Sequence, residues 1–431
     1  MKMKFTAAGD AIIQRRIHED FAGYEELAPF INQGDARFFN LETTLNREGD
    51  CPGAALSGGT YIRTEPEVLY DLMEFGFNMT TACNNHLLDF SYEGLYDTID
   101  ALNESGIVHA GIGYNLSMAA APKYLETSAG RIALIAVNTS FNPSMMAGES
   151  SDRVQGRAGI NGMRVRRYVK VTKEDLALVR DLAERTNINA EKEITRREGY
   201  YPMLRDDEAT LGELEFKLAD KTEFVMEINP ADLARLKKSI EEAEFQADYV
   251  MISVHSHQIS GTKKEQPSKM LEDLAHFCID AGANAVVGHG PHLLRPIEVY
   301  KDSPIFYSLG DFILQLYSVE FAPADFYQKH GVDKSATVKE LLATRSKNFT
   351  VGLMTDKRMF LSVIPYWETE GKKLKKLTLL PILGKMEGNK SEIGLPRKVD
   401  PSEVIDYLGE MSAPYGVTLK AEADGTISCH W

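Results

Sequence analysis

Side chains that can bind metal ions follow several predicted strands of this chain. They are Asp10, Glu42, Asn85 with His86, His255 with His257, and His289 with His292. Carboxylate oxygen, amide oxygen and imidazole nitrogen together form a ligand set that suits manganese, iron or zinc and poorly matches a soft metal. Two such ions bridged by a carboxylate can bind both the attacking and the leaving oxygen of a displacement at phosphorus. These residue types therefore predict a site for one or two divalent metal ions.

Each motif taken singly also has an ordinary structural interpretation. Gly9-Asp10 is typical of a turn with a capping carboxylate, and Asn84-Asn85 could equally be an Asx turn that caps the helix predicted from Ser91. A lone histidine on an apolar strand is usually a satisfied core residue. The metal hypothesis depends on all five groups occurring at strand ends, where the ligands of open α/β sheets gather.

The elements that would position these residues are strands alternating with helices. The predicted strands cover 3–8, 36–39, 78–82, 132–137, 247–254 and 284–287, with a helix over 269–281. The alternation is lost between about 142 and 244, which predicts a partly helical insertion. After about residue 346 the sequence predicts β-strands over 349–354, 359–365 and 377–382, and an amphipathic helix over 401–411.

The predicted organisation is thus an α/β core in two parts, 1–141 and 246–320. The insertion covers 142–245, and a β-rich C-terminal extension over 321–431 packs on the core.

Composition excludes some classes of protein. The 431 residues with 43% hydrophobic content can bury a large core, and the formal net charge of −15 argues against a nucleic-acid partner, since phosphate backbones are bound by Lys and Arg. Arg164, Arg166 and Arg167 form the one local basic cluster, for which a solvated strand is favoured over an anion site.

Other segments give no sign of export or cross-linking. The four cysteines, Cys51, Cys83, Cys278 and Cys429, are scattered and form no CxxC pair, which favours reduced thiols. The N-terminus enters a strand-like run without a signal-peptide pattern, and no segment has the roughly 18 apolar residues of a membrane helix. These observations predict a cytoplasmic protein without a membrane segment.

The order of the motifs resembles a known family. Along the chain they are Gly9-Asp10, Asn40-Leu41-Glu42, Asn84-Asn85-His86 with Leu88-Asp89, His255, Gly288-His289-Gly290-Pro291-His292 and Tyr307-Ser308-Leu309-Gly310. This ordered set is similar to that of the CapA-like poly-γ-glutamate capsule biosynthesis family, within the calcineurin-like metallophosphoesterase superfamily. The resemblance covers most of the chain. It implies a four-layer α/β/β/α sandwich with a metal centre between the motif loops.

The resemblance also implies roles for individual residues. Asp10, Glu42, Asn85, His255, His289 and His292 would be metal ligands, with Glu42 in place of the usual bridging aspartate. His86 would be catalytic, since it would protonate the leaving oxygen or stabilise the transition state, and a histidine suits that task because its unperturbed pKa lies near neutrality. Asn40, Asn84, Asp89 and His257 are expected to support the ligands.

The sequence departs from the superfamily pattern at several positions. Asp10 is followed by Ala11 and Ile12 instead of the usual Asp-x-His, so the first metal loses a nitrogen ligand. The last histidine pair has the spacing His-x-x-His in place of His-x-His, which leaves open which of the two binds which metal. His257 is either a substitute ligand or a supporting residue. Asp311 stands where relatives often have asparagine and is interpreted as a turn residue.

Three hypotheses for function follow. The first is a metal-dependent hydrolase that acts on a phosphate ester or on an amide of a γ-glutamyl polymer, with a small-molecule or polymer substrate. The second is a non-catalytic protein that binds a polymer or partner on a degenerate metallophosphoesterase fold, which the missing histidine at Ile12 favours. The third and weaker one is a nucleotidase or a nucleic-acid phosphoesterase, and the acidic net charge counts against the second of these.

Overall fold

The computed structural model describes residues 2–47 and 51–431, and strands alternate with helices through most of this range. The strands are β1 Lys2–Ile12, β2 Ala36–Leu41, β3 Thr44–Leu45, β4 Arg63–Thr64, β5 Met79–Thr81, β6 Val108–Ala110, β7 Ile112–Gly113, β8 Lys123–Thr127, β9 Gly130–Asn138, β10 Gly159–Ile160, β11 Val165–Val171, β12 Glu208–Leu211, β13 Leu214–Leu218, β14 Glu223–Ile228, β15 Tyr249–His255, β16 Ile259–Ser260, β17 Lys263–Pro267, β18 Ala285–His289, β19 Ile297–Tyr300, β20 Ser303–Phe306, β21 Asp311–Leu314, β22 Leu361–Glu370, β23 Lys373–Gly384, β24 Pro396–Lys398, β25 Thr418–Ala421 and β26 Ile427–His430. The α-helices are α1 Ala22–Ile31, α2 Val68–Glu74, α3 Ser91–Ser105, α4 Leu116–Ala120, α5 Lys173–Thr186, α6 Ala190–Arg197, α7 Pro230–Gln246, α8 Lys269–Asp280, α9 Ala324–Lys329, α10 Val338–Arg345 and α11 Ile405–Ser412.

The larger of the two main sheets contains ten strands within the described residues. Its main path runs β25-β26-β23-β22-β1-β2-β5-β6, while β21 pairs with β1 and β24 pairs with β23. β1 is parallel to β2 and β21 but antiparallel to β22. The strands of the C-terminal segment therefore continue the sheet that β1 and β2 begin.

The second main sheet has six strands in the order β19-β20-β18-β15-β9-β8. Its central strand β15 is buried along its whole length, as expected for a parallel strand covered on both faces. The two sheets share one hydrophobic core. Phe5 of β1 lies 4.2 Å from Tyr249 of β15 between ring centroids, and the indole Nε1 of Trp367 donates a 3.1 Å hydrogen bond to the Tyr249 hydroxyl.

The helices carry ordinary start signals and bury one face. α8 begins after Ser268, whose hydroxyl accepts a hydrogen bond from the Leu271 amide, and it buries Leu271, Leu274 and Cys278 at helical spacing. α3 ends at Gly106, which has a left-handed φ of 73°. Such caps fix where each helix returns the chain to the sheet.

The chain divides into two compact units, one comprising Met1–Gly162 and Ala234–Trp431 and the other Met163–Leu233. The second unit lies within the predicted insertion 142–245 and has narrower bounds. It contains the four-stranded sheet β12-β13-β11-β14 with α5 and α6. Its core is small and includes Val171, Leu176 and Ala209.

The mixed α/β fold predicted from the sequence is confirmed, and the order of its four layers stays a prediction. Two details of the strand predictions are wrong. β1 and β2 do not stop before the polar motifs: Asp10 and Asn40 lie within the strands, after a register shift between Ala7 and Asp10. Residues 349–354 form turns and a 3-10 helix, because Phe349 and Gly352 take positive φ angles of 61° and 110° that no strand accommodates.

Two further expectations concern cysteines and membrane segments. Cys83, Cys278 and Cys429 are buried and form no disulfide among the described residues. In the part of the chain that the structure describes, no helix has the length and apolar character needed to cross a membrane.

Candidate metal centre

Parallel pairing of β1 with β2 places Asp10 opposite Asn40. The Asn40 amide donates a 2.7 Å hydrogen bond to Asp10 Oδ1, and the backbone amide of Gly290 donates to Asp10 Oδ2 at 2.9 Å. The Asn84 amide in turn donates to Asn40 Oδ1 at 3.2 Å and to the Leu41 carbonyl at 2.7 Å. Asn40 and Asn84 thus hold the carboxylate of Asp10 in one orientation.

The loop that follows β5 presents His86. Its ring Nδ1 lies 2.7 Å from Asp89 Oδ2, and its backbone amide donates to Asn84 Oδ1 at 3.1 Å. Asp89 is itself fixed by the backbone amides of Gly58 and Ile62, each at 2.9 Å. A carboxylate on Nδ1 selects the tautomer that carries its proton there, which leaves Nε2 free for a substrate.

The second sheet supplies a pair of histidines from neighbouring parallel strands. The register of β15 with β18 places His255 beside His289, with 2.9 Å between their Nδ1 atoms. His255 Nε2 lies 2.7 Å from Asn85 Oδ1 and 3.1 Å from His257 Nε2, while Ser253 contacts His289 Nε2 at 2.7 Å. The two main sheets therefore bring Asn85 and these histidines to one place.

Glu42 lies at the centre of the cluster with its side chain 0% exposed. Its Oε1 is 3.8 Å from Nε2 of both His86 and His255 and 3.9 Å from Nε2 of His292. Burial and the charges of Asp10 and Asp311 raise the pKa of Glu42 well above its usual range. Three imidazole nitrogens thus surround one buried carboxylate, at separations typical of atoms that share a cation.

His292 lies in the loop after β18. It takes a left-handed φ of 60°, which costs on the order of 1 kcal/mol and is concentrated at functional sites. Its Nδ1 lies 3.0 Å from Asp311 Oδ1 and 3.8 Å from Asp10 Oδ2. Although burial opposes the effect, Asp311 and Asp10 raise the pKa of His292, and burial raises the pKa of Asp311 to about 6.

Burial holds His255, His257 and His289 neutral. Burial, reinforced by neighbouring histidines, lowers the pKa values of His255 and His257 well below their usual range. Burial also lowers the pKa of His289 to about 4, although Asp10 opposes the effect. Neutral imidazole is the form that binds metal ions.

The residues present fit a metal ion. Among the described residues, neither carboxylate oxygen of Glu42 nor Oδ2 of Asp311 has a hydrogen-bond partner, although both side chains are buried. A buried carboxylate without donors is costly unless a cation compensates it. Three overlapping groups have ligand atoms within 4.8 Å of one another: Asp10, His255 and His289; Glu42, His255 and His257; and Asp10, His292 and Asp311. These buried groups could hold a metal ion.

The structure brings together the whole predicted set, from Asp10 to His292, although ligand roles stay predictions. Sequence reasoning missed Asp311, which does not act as a mere turn residue, since it contacts His292 and belongs to a candidate metal group. A signal was present: Gly310-Asp311 repeats the dipeptide Gly9-Asp10. The basic cluster has the favoured structural role, since Arg164 pairs with Asp232 and Arg166 with Glu215.

The protein is thus a mixed α/β protein with a candidate metal centre. This centre is the buried cluster of His, Asp and Glu between its two main sheets. A family model of the bacterial capsule synthesis protein PGA_cap matches residues 4–316, and the chain belongs to this family. The family is related to capsule and poly-glutamate biosynthesis.

The curated relatives differ in how much of their length is shared. The uncharacterized protein y4sH of Sinorhizobium fredii is 31% identical over 429 residues, which cover 96% of this chain and 90% of that protein. The capsule biosynthesis protein CapA of Bacillus anthracis is 22% identical over 319 residues, or 72% of this chain and 60% of the relative. A probable polyglutamine synthesis accessory protein of Mycobacterium tuberculosis is 28% identical over 279 residues, covering 65% and 55% respectively.

Proposed function

We propose that this protein is a metal-dependent hydrolase that acts on a phosphate ester, or on an amide of a γ-glutamyl polymer, in capsule or poly-γ-glutamate biosynthesis. The observation that carries the proposal is the carboxylate of Glu42, which is buried without a hydrogen-bond donor and faces imidazole nitrogens at 3.8 to 3.9 Å. The capsule-related names of the relatives support the second substrate class.

The proposed ligands divide between two metal positions. Asp10, His292 and Asp311 would hold one ion, and Asn85, His255 and His289 the other; Glu42 and His257 both lie near His255 and could add a ligand atom. Oxygen and imidazole donors suit manganese, iron or zinc. When bound, these ions supply Lewis acidity, which stabilises negative charge that develops on a phosphoryl or carbonyl oxygen.

His86 would move the proton. With its Nδ1 bonded to Asp89, the ring can accept a proton on Nε2 and donate it to a leaving oxygen or nitrogen. Two backbone amides fix Asp89, so the imidazole keeps its orientation while the substrate reacts. His86 also lines an open cleft, where a substrate can reach it.

The test combines metal analysis with assays on manganese-loaded protein. We expect bound transition metal, and hydrolysis of a phosphomonoester, a phosphodiester or a γ-glutamyl amide. His86→Ala should lower kcat by about 10² to 10⁴ while the metal content stays unchanged. Replacing the exposed His18 with alanine is the matched control, and it should alter neither quantity. A His86→Ala protein with wild-type turnover contradicts the proposed role of this histidine.

One observation favours a second candidate, a non-catalytic binding protein. Ile12 is buried in an apolar cluster with Ile62 and Leu293, at the position where the superfamily motif carries a ligand histidine. A polymer or partner could then bind at the metal centre without turnover. Bound metal together with no hydrolysis of any of these substrates would support this alternative.

A further inference from the structure

A cleft of about 230 Å³ opens beside the candidate metal centre. His86, His257 and His292 line it from the side of the metal ligands. The rest of the wall is largely apolar and includes Ile12 and Leu353. Apolar walls strengthen the field of any charge that faces the cleft, because they exclude water from it.

The charges that line this cleft all have one sign. Arg295, Lys264 and Arg345 line it, and no described residue in its wall is Asp or Glu. This is unusual in a chain whose formal net charge is −15. The cleft therefore favours a negatively charged occupant.

Arg295 is the buried member of the three and is 0% exposed. Its Nε donates to the Lys264 carbonyl at 3.0 Å and its Nη1 to the Ser256 carbonyl at 3.4 Å, whereas Nη2 has no partner among the described residues. Burial lowers the pKa of Arg295 to about 10, so the guanidinium stays charged at neutral pH. An unpartnered donor on a buried cation is costly unless an acceptor meets it.

The other two cations lie nearer the surface. Lys264, on β17, is exposed and makes no ion pair with any residue that the structure describes. Arg345, at the end of α10, donates a hydrogen bond to the Thr60 hydroxyl and has no acidic partner in the described ranges. The neighbouring acid, Glu265, forms an ion pair with Arg358. Both cations are thus available to an anion in the cleft.

We propose that Arg295, Lys264 and Arg345 form an anion subsite, which holds a carboxylate or phosphate group of the substrate other than the group that reacts. This inference rests on the proposed function, which places the reacting group of the substrate at the metal centre beside the subsite. A guanidinium binds either anion through parallel N–H donors, and the side chains of Lys264 and Arg345 at the rim add positive charge. A substrate with regularly spaced anionic groups, such as a γ-glutamyl polymer with its free α-carboxylates, fits this arrangement.

Direct binding is the first test and needs no turnover. Metal-stripped protein is titrated by calorimetry with inorganic phosphate and, separately, with γ-glutamylglutamate, which reveals whether phosphate or carboxylate is preferred. Lys264→Ala and Arg345→Gln should each weaken binding by about 3- to 10-fold, and added salt should weaken binding to the wild type. Lys263→Ala is the matched control, because this exposed neighbour does not line the cleft. Arg295→Gln should have a larger effect, and the two rim variants keep the test informative if it fails to fold.

Kinetics then separate the subsite from the metal centre. With manganese-loaded protein, Lys264→Ala should raise KM for 4-carboxyphenyl phosphate by about 3- to 10-fold and leave KM for phenyl phosphate unchanged. Wild-type binding and kinetics in both rim variants, or an equal loss in Lys263→Ala, would overturn the subsite while the hydrolase proposal stands. If the protein hydrolyses none of the substrates but the rim variants bind anions more weakly, the subsite proposal is supported and the hydrolase proposal is contradicted.

Discussion

At the scale of single residues, Glu42 lies in an unfavourable environment for a carboxylate. Its carboxylate is buried without a donor, next to Asp10 and Asp311, and this surrounding raises its pKa. In the metal-free protein the folded state therefore keeps this proton to higher pH than the unfolded state does. Since the pKa of Glu42 is higher in the folded state, this residue reduces stability increasingly as pH rises above the usual glutamate pKa.

Replacing Glu42 with glutamine should have opposite effects on stability and on metal binding. In metal-free protein at pH 7.5 we expect the free energy of unfolding to rise by about 1 to 3 kcal/mol, because a buried ionisable group is removed. Metal affinity should fall on the order of 100-fold, because a ligand is lost. Urea unfolding and metal competition measure the two effects, and Glu241→Gln on an exposed helix face is the control. A destabilised metal-free variant would contradict the expectation that the buried carboxylate of Glu42 lowers stability.

Acidification should release the metal. In the metal-free protein Glu42 and His292 have raised pKa values and the pKa of Asp311 is about 6, so protons compete for these ligands as pH falls. Between pH 7.5 and 5.5 we expect manganese affinity to fall on the order of 100-fold, as measured with a competing chelator. Asp311→Asn should bind more weakly at pH 7.5 and show a shallower pH dependence. A pH-independent affinity contradicts this assignment.

At the scale of elements, close strand pairing sets the position of the carboxylates. β1 lies between β2 and β21, and this pairing places Asp10 opposite both Asn40 and Asp311. The approach is tight at Gly9, where an added Cβ would lie 1.7 Å from the carbonyl oxygen of Gly310. Only glycine allows β1 and β21 to come this near to each other at this point.

Gly9→Ala should separate these strands and disturb the metal centre. We expect a loss of about 2 to 3 kcal/mol in the free energy of unfolding, because the contact is with backbone that cannot move cheaply, together with weaker metal binding. Gly409→Ala is the control: Gly409 lies inside α11 with its nearest neighbour at 4.0 Å, so alanine should gain about 0.5 to 1 kcal/mol. Urea midpoints compare the two variants. Equal effects would mean that β1 and β21 tolerate separation.

The sequence predicted elements well where apolar runs end in polar motifs. β15 and α8 were found almost at their observed bounds, and with them His255. It failed over 349–354, where a β-like composition conceals positive φ angles. It also missed that Asp311 contacts His292 and that Arg295 contacts Lys264, because these partners come from other segments that only the folded chain brings near. Local pattern thus identified residues that converge in the fold, and tertiary pairing decides which of them are in contact.

At the scale of the whole molecule, the two compact units differ in their cores. The unit that includes both main sheets buries a large core with Phe5, Tyr249 and Trp367. Met163–Leu233 buries few apolar side chains and leaves Tyr200 exposed at 78%. Since apolar burial is the main source of stability, the smaller unit should open more easily.

Hydrogen exchange should detect this difference. At neutral pH the amides of β11 should exchange at least about tenfold faster than those of β15, because fewer buried contacts oppose local opening. Mass spectrometry of peptides from the two strands gives the rates. Exchange of both strands at one common rate, even at low denaturant, would show that the molecule opens as a single cooperative unit.

The fluorescence of Trp367, which donates a hydrogen bond to Tyr249, reports on the contact between the two main sheets. The chain has two tryptophans, of which Trp367 is 0% exposed and Trp431 is 47% exposed. A collisional quencher such as iodide should reach Trp431 in the native protein, whereas the emission of Trp367 should stay blue-shifted and protected. Loss of that protection would mark the moment at which the two main sheets part, without any label having been attached.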